Sequence, residues 1–452
     1  MTRLLIASVL LLPVAGCFSV PQLRQCYNRL DCSGDQICTA EGVCVPSSAD
    51  ASLPVDGGGV TGRSDADVGD VADAGGNGDL RCNVTAPIRV NDEDSGVSDD
   101  MYDLTSDGTG FAYVVADSSS PRRILFNEFS GFEPPSSIDP VVLSSPTVDS
   151  VGPHVTFVAS TGSYAVVWTE NDTPRRVKLA SIPRSSRQVG GVVTPEDIRA
   201  GRGIASDILS TGPQFAQTAT VAVMWKHDDD CSIRMSLYGA DFDLVGSPLT
   251  GQIPLEGNPI AAVYPSENVF VFVGVVNNSN TTRIDFSRYE RGLGTFTKSF
   301  DETLSFSGAD QPAVASTARG YSVVWVQTEE DVGTINYRQV GFTGSLTSSV
   351  KIEIDSGVEL LSAREPSLAY GANDTIGVVW QPVSRGSFGT RFGPHFAVLD
   401  AERGGAFLAS VVLSTESDAG PPRIAYSDSG FGVLWKQGPF LLFSLVTCTP
   451  SG

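Results

Sequence analysis

The chain has 452 residues, 41% of them hydrophobic, and a formal net charge of −22. This length and apolar content suffice for a large core with accessory segments. The acidic balance argues against nucleic-acid binding and against electrostatic adsorption to anionic lipid, because both need clustered basic residues.

The first 16 residues have the pattern of a secretory signal peptide. Arg3 precedes an apolar run from Leu4 to Leu12, which is too short to span a bilayer. The next residues, Val14-Ala15-Gly16-Cys17, resemble the lipobox of bacterial lipoproteins. The resemblance implies cleavage before Cys17 and acylation of its thiol and amine, which gives a stable membrane anchor. The alternative is an ordinary secretory signal with an incidental cysteine.

The residue after the lipobox cysteine indicates which membrane such an anchor would occupy. An Asp at this position is the usual inner-membrane retention signal of well-studied Gram-negative lipoproteins, whereas this chain has Phe18. The resemblance therefore implies the outer membrane, on its periplasmic side or its cell-surface side.

The segment 17–46 is cysteine-rich. After Cys17 it has four cysteines at uniform C-x5-C spacing, which are Cys26, Cys32, Cys38 and Cys44. Because exported chains meet an oxidising environment, we predict two disulfides, with three connectivities open. The bridges must hold a segment too short for its own core. The segment resembles small modules that follow lipoboxes in predicted lipoproteins of myxobacteria and their relatives. A zinc site is the alternative, although the close C-x2-C pairs of zinc knuckles are missing.

Residues 47–81 form an acidic linker rich in Asp, Gly and Ala. The stretch from Ser47 to Leu80 has no aromatic residue, and such a composition favours a disordered, self-repelling tether. A calcium loop is the alternative for its aspartates, but the spacing of an EF-hand loop is not met.

Seven apolar runs recur between Asp100 and Cys448, each ending in a large residue. Their last residues are Val115, Trp168, Trp225, Val275, Trp325, Trp380 and Trp435, at intervals of 53, 57, 50, 50, 55 and 55 residues. A period of about 50 residues built from strands indicates a β-propeller. We predict an all-β fold in which residues 82–452 form a seven-bladed propeller of four-stranded blades, with the recurrent tryptophans packed between blades.

Each copy is expected to supply strands A to D, with the apolar run as strand B. Six copies have a proline 12 to 16 residues before the large residue, which are Pro153, Pro213, Pro259, Pro312, Pro366 and Pro422. Proline is tolerated at the first residue of a strand, so we predict that strand A follows each proline.

The last copy ends after strand C at 441–447, while an orphan strand, 86–90, precedes the first copy. We predict that this orphan is strand D of the seventh blade and closes the ring, because an open edge would otherwise remain. Cys82 and Cys448 would then meet in a disulfide. It would close a loop of over 300 residues, worth about 4–5 kcal/mol in the chain-entropy model. Cys231 is left as a free thiol.

Propellers usually bind ligands on the face made by the loops before strand A and between strands B and C. In this chain those loops are acidic, and a ring of carboxylates suits Ca2+. The candidate Ca2+ ligands are Asp92, Asp94, Asp228 and Asp230. A solvated acidic rim without metal is the alternative.

The loop after Trp380 mixes arginine, aromatic and glycine residues, which suits contact with carbohydrate or peptide through stacking and bidentate capture of carboxylates. Its candidate ligand-binding residues are Arg385, Phe388, Arg391, Phe392 and His395. A surface loop without a ligand is the alternative. Arginine pairs also precede strand C in two neighbouring copies, at 122–123 and 175–176.

No catalytic residue is assigned, because the nucleophile elbow, P-loop, HExxH and dinucleotide motifs are missing. We therefore expect a monomeric outer-membrane lipoprotein whose propeller binds or scaffolds an extracytoplasmic protein or carbohydrate. One alternative is a carbohydrate-active hydrolase or lyase that uses carboxylates on the loop face. Another is a structural envelope protein.

Overall fold

The computed structural model describes residues 36–38, 44–46 and 80–450, with internal gaps in the last range. The gaps are 92–95, 131–138, 173–174, 185–187, 195–202, 211–220, 228–232, 240–242, 245–248, 252–259, 267–268, 279–280, 292–295, 306, 330–331, 353–360 and 385–389. The predicted signal peptide and most of the predicted tether lie outside the described residues. The same is true of Cys17, Cys26, Cys32 and Cys231. The described residues form strands and no helix.

The cysteine-rich segment contributes a hairpin of β1 (Gln36–Cys38) and β2 (Cys44–Pro46). The two strands are antiparallel, and the register sets Cys38 opposite Cys44. This hairpin belongs to a separate compact unit from the larger sheets.

The remaining strands begin with two short ones, β3 (Leu80–Val84) and β4 (Ile88–Arg89), and continue through seven sheets in chain order. Sheet 1 contains β5 (Val97–Ser106), β6 (Phe111–Asp117), β7 (Ile124–Phe129) and β8 (Val141–Val142). Sheet 2 contains β9 (Ser150–Val158), β10 (Ser163–Glu170), β11 (Arg176–Pro183) and β12 (Gly191–Val193). Sheet 3 contains β13 (Gly203–Ser210), β14 (Val221–His227), β15 (Ile233–Tyr238) and β16 (Leu249–Gly251).

Sheet 4 contains β17 (Ile260–Ser266), β18 (Val269–Asn278), β19 (Thr281–Arg291) and β20 (Phe296–Thr303). Sheet 5 contains β21 (Ala309–Thr317), β22 (Gly320–Glu329), β23 (Val332–Gly341) and β24 (Val350–Ile352). Sheet 6 contains β25 (Leu361–Tyr370), β26 (Thr375–Ser384), β27 (His395–Asp400) and β28 (Ala406–Val412). Sheet 7 contains β29 (Arg423–Ser427), β30 (Gly430–Gln437) and β31 (Phe440–Pro450), and its edge is extended by β3 and β4.

The sheets share one topology. In each, consecutive strands are antiparallel neighbours, and no sheet closes on itself. The first strand of each sheet packs against the first strand of the next, and β29 packs against β5. Four-stranded antiparallel sheets that adjoin through their first strands are the arrangement of a β-propeller.

The core lies between neighbouring sheets. The second strands contain a continuous apolar run because sheets cover both of their faces, and every residue of β6 and β10 is buried. Each tryptophan is at most 2% exposed and lies in the cluster between its own sheet and the preceding one. The prediction that the recurrent tryptophans pack between blades is confirmed.

The N-terminal segment of this unit pairs with the last strand of the chain. Ile88 lies opposite Phe443 and Arg89 opposite Leu442 in an antiparallel register between β4 and β31. A disulfide joins Cys82 to Cys448, 366 positions apart in sequence, as predicted. Of the strand expected at 86–90, Ile88–Arg89 forms β4, and a further strand that was not predicted, β3, pairs with β31 as well. Pro87 lies between β3 and β4, where it has no amide hydrogen to donate to a ladder.

Two of the six prolines stand directly before a first strand as predicted, since β17 begins after Pro259 and β29 begins after Pro422. The prediction is wrong for three others. Pro153, Pro312 and Pro366 lie inside β9, β21 and β25, where the register shifts by a bulge. A bulge residue makes no regular ladder bond, so proline is tolerated there. The residue before each proline has a positive φ, which is 58° at Gly152, 51° at Gln311 and 49° at Glu365.

The first strand of sheet 3 also departs from the prediction. We expected it after Pro213, but β14 pairs with Gly203–Ser210, which precedes that proline. The run contains no proline, so all of its amides are able to donate to the ladder. In sheet 6 the predicted loop after Trp380 is shorter than expected, because β26 continues to Ser384.

A phenylalanine–glycine contact recurs between sheets. Phe431 of sheet 7 packs on Gly377 of sheet 6, and Phe111 of sheet 1 packs on Gly432 of sheet 7. A Cβ added at Gly377 would lie 2.6 Å from the Phe431 ring, and one at Gly432 would lie 2.4 Å from the Phe111 ring. The junction between the last and first sheets therefore uses the same close approach as the junction before it.

We expect Gly432→Ala to lower the free energy of unfolding by about 1–3 kcal/mol, because the methyl group would displace the buried Phe111 ring. Urea unfolding of the full chain measures the change. Gly191→Ala is the matched control, since an added Cβ there meets no atom within 4 Å. Equal stability of the two variants would contradict the tight junction between sheets 7 and 1.

Candidate functional site

An open pocket of about 540 Å³ lies where sheets 7, 1 and 2 meet. Its walls come from the start of β5, the loop between β6 and β7, the residue before β9 and the end of β30. The lining residues are Val97, Ser98, Ser118, Ser119, Ser120, Arg122, Asp149 and Lys436. Most of these positions precede first strands or join second to third strands, which are the segments predicted to form the ligand face.

One wall is a bidentate ion pair between Arg122 and Asp149. Arg122 donates from Nε to Oδ1 over 2.8 Å and from Nη2 to Oδ2 over 2.6 Å. The Arg122 amide and the Asn171 side chain also donate to this carboxylate. The hydrogen bonds from Arg122 hold the pKa of Asp149 far below its usual range, against the opposing effect of partial burial. Asp149 is therefore ionised, with both oxygens occupied.

The opposite wall carries a lysine. The Lys436 amide donates to the Tyr102 hydroxyl over 3.1 Å, and that hydroxyl donates to the carbonyl of Pro421. These bonds fix the backbone that bears Lys436. Within the described part of the chain, its ammonium group makes no hydrogen bond or ion pair. The pocket thus contains a half-buried cation with unused donors.

Serine hydroxyls line the rest of the pocket. The Ser119 hydroxyl is engaged with Asp117 and with the carbonyl of Pro121. Those of Ser98, Ser118 and Ser120 have no hydrogen-bond partner among the residues that the structure describes. Each hydroxyl is able to donate one hydrogen bond and to accept two. The arrangement suits a ligand with many polar groups.

Two kinds of charge occur among the lining residues that the structure describes. Arg122 and Asp149 pair with each other, and Lys436 adds one further positive charge. A carboxyl group acting as a general acid must hold a proton near the working pH, and the lowered pKa of Asp149 prevents this. The described lining residues thus offer hydrogen-bond donors to an anionic or hydroxyl-bearing ligand.

The loop after Trp380 is described in part, and Arg385 and Phe388 lie outside the described residues. Arg391 is exposed and Phe392 half-buried, and their backbones bond to Asp418 and Pro382. His395 is the first residue of β27, only 8% exposed, with its ring centroid 5.8 Å from that of Trp380. Burial lowers the pKa of His395 to about 4, so the ring is neutral at neutral pH. Ligand binding by this loop stays a prediction.

The four candidate Ca2+ ligands lie outside the described residues; they are Asp92, Asp94, Asp228 and Asp230. Among the described residues, no three His, Cys, Asp or Glu side chains are grouped closely enough to hold a metal ion. Calcium binding therefore stays a prediction.

One acid of the predicted face has a raised pKa. Asp310, near the start of β21, is exposed, yet the surrounding protein desolvates its carboxyl group and raises its pKa. The Gln311 amide and the charge of Arg364 partly oppose this effect. Because water reaches the side chain, its desolvation is incomplete.

Sequence reasoning did not find the pocket. Its serines and Lys436 match no motif, and its lining residues lie far apart in the chain. The available signal was the arginine pair before β7, of which Arg122 forms the wall.

No protein-family model matches the chain, and no curated protein matches it. Solved structures show distant similarity to it. The β-propeller domain of the trilobed protease from Pyrococcus furiosus is 8% identical, covering 78% of this chain and 97% of that one, with a TM-score of 0.46. The Dos1 propeller is 12% identical, covering 76% of each chain, with a TM-score of 0.45.

A protein of unknown function from Dyadobacter fermentans is 11% identical, covering 81% of this chain and 99% of that one, with a TM-score of 0.44. At these values the similarity adds nothing to the fold assigned from the strand order. Nowhere in the described ranges is there a helix long and apolar enough to cross a membrane.

We expect Asp149→Asn to lower the free energy of unfolding by about 1 kcal/mol at neutral pH, a value that allows for solvent screening of a partly exposed pair. The folded-state pKa lies below the unfolded value of about 3.9. The carboxylate therefore stabilises the fold above that value, and this contribution disappears as the pH falls through the folded pKa. The difference from wild type should narrow from about pH 5 to about pH 2.

Urea unfolding across this pH range measures the effect. Asp428→Asn is the control, because the Asp428 side chain is exposed and has no ion pair among the described residues. A pH-independent difference between Asp149→Asn and wild type would show that the Arg122 pair does not stabilise the fold.

Proposed function

We propose that the protein is an outer-membrane lipoprotein whose propeller binds an extracytoplasmic protein or carbohydrate. The observation that carries the binding role is the open polar pocket at the meeting point of sheets 7, 1 and 2. In this proposal the acyl chains on Cys17 supply location, the tether at 47–81 supplies reach, and the pocket supplies recognition.

The proposal includes a ring of seven blades closed between sheets 7 and 1. Three observations support closure: β29 packs on β5, Phe111 packs on Gly432, and the Cys82–Cys448 disulfide holds β3 at the edge of sheet 7. Closure matters for function because the pocket draws its residues from both sides of this junction.

Binding is favoured over catalysis by the state of the carboxylate in the pocket. Asp149 is ionised and its oxygens are occupied by Arg122 and Asn171. Canonical glycoside hydrolysis uses two carboxyl groups, one of them with a raised pKa. Asp310 is the acid that keeps a carbohydrate-active enzyme as the second candidate, because desolvation raises its pKa.

The membrane anchor has a direct test. Expressed in a Gram-negative host, the wild-type chain is expected in the detergent phase of a Triton X-114 extract, because acyl chains partition with apolar solvent. Cys17→Ser is expected in the aqueous phase, and Cys231→Ser serves as the control that keeps the anchor. Aqueous partitioning of the wild-type chain would overturn the lipoprotein assignment.

The binding role is tested with glycan and peptide arrays, using the full-length chain with and without Ca2+. We expect at least one class of ligand to bind, and we expect Ser98→Trp to weaken that binding about tenfold or more, because the indole fills the pocket and displaces the ligand's polar contacts. Ser348→Trp, in the exposed loop between β23 and β24, is the matched control. Binding that is unchanged in Ser98→Trp would place the ligand elsewhere.

A further inference from the structure

We propose that the pocket recognises an acidic saccharide, with the uronate carboxylate on Lys436 and the ring hydroxyls on the serines. This inference rests on the proposed binding function and names its ligand class. It comes from three properties of the pocket, which are a cation and hydroxyl groups that have no partner among the described residues, and the pocket's size.

The cation calls for an anionic partner. Lys436 is half-buried, and its ammonium group makes no hydrogen bond or ion pair within the described residues. Asp149 does not neutralise it, since Arg122 and Asn171 occupy that carboxylate. A ligand carboxylate would supply charge-assisted hydrogen bonds, which are shorter and stronger than bonds between neutral groups.

The hydroxyls favour a saccharide over a peptide. Ser98, Ser118 and Ser120 present donors and acceptors that no described residue uses. Among the lining residues that the structure describes, Val97 is the one apolar side chain and none is aromatic. Pockets for apolar ligands are lined mainly by hydrophobic and aromatic side chains, whereas a sugar ring presents hydroxyl groups around its edge.

The size and the overall charge limit the ligand further. A volume of about 540 Å³ lies within the range of ~300–1,000 Å³ for small-molecule sites, which accommodates a mono- or disaccharide. The chain as a whole has a net charge of −22, so its field repels long polyanions. Recognition should therefore centre on one uronate residue, at the end of a glycan or in a short fragment.

The test uses matched sugars that differ at one carbon. Glucuronate, galacturonate and mannuronate are compared with glucose, galactose and mannose, using the full-length chain in calorimetry and ligand-observed NMR. We expect at least one uronate to bind about tenfold or more tightly than its neutral hexose, because only the uronate pairs with Lys436.

Variants then locate the contact. Lys436→Gln should remove the preference, so that the uronate binds no more tightly than its neutral hexose. Lys351→Gln, on the exposed face of β24, is the matched control and should bind like wild type. Ser98→Trp should weaken binding of both sugars.

Each contrary outcome has a distinct meaning. If array ligands bind in a manner that depends on Ser98 but no uronate is preferred, the binding function stands and the acidic-saccharide inference is wrong. If an oligoglutamate peptide binds through Lys436 while the uronates do not, the site is for acidic peptide and the inference is again wrong. If Ser98→Trp changes no binding, the ligand binds elsewhere on the protein, and the acidic-saccharide inference about this pocket is wrong.

Discussion

Each sheet of this protein depends on a neighbour to cover its faces. The second strands contain a continuous apolar run, and the tryptophans that end these runs are buried against the preceding sheet. A sheet of this composition would expose both faces if it stood alone. The consequence is a serial arrangement in which the stability of any sheet is shared with the sheets on either side.

This constraint is hardest to meet at the junction between sheets 7 and 1. All the remaining pairs of neighbouring sheets are consecutive in the chain, whereas sheets 7 and 1 come from its opposite ends. The junction combines a cluster around Phe443, the approach of Phe111 to Gly432, and the disulfide at Cys82. Residues from the two ends of the domain thus enclose one core. The positions of side chains in a site that spans this junction are therefore fixed by the packing of the two sheets.

The sequence predicted the parts of the fold that follow from regular burial. The apolar runs form the second strands, and their tryptophans pack between sheets. The expected pairing of the strands next to Cys82 and Cys448 correctly predicted the disulfide. The first strands were harder, because Pro312 and Pro366 sit in bulges that depend on a positive φ at the preceding residue. A bulge depends on backbone geometry and does not produce a hydrophobic period in the sequence, so a sequence pattern does not predict it.

The pocket was beyond sequence reasoning for a different reason. Asp149 and Lys436 are 287 positions apart in the chain. The packing of sheets 7, 1 and 2 brings them into one pocket. Their chemistry also depends on contact, since a run of acids and bases does not reveal which charges cancel. Arg122 pairs with Asp149, whereas the ammonium group of Lys436 has no ion pair among the described residues. In a chain with a net charge of −22, composition alone gives no sign of such a cation.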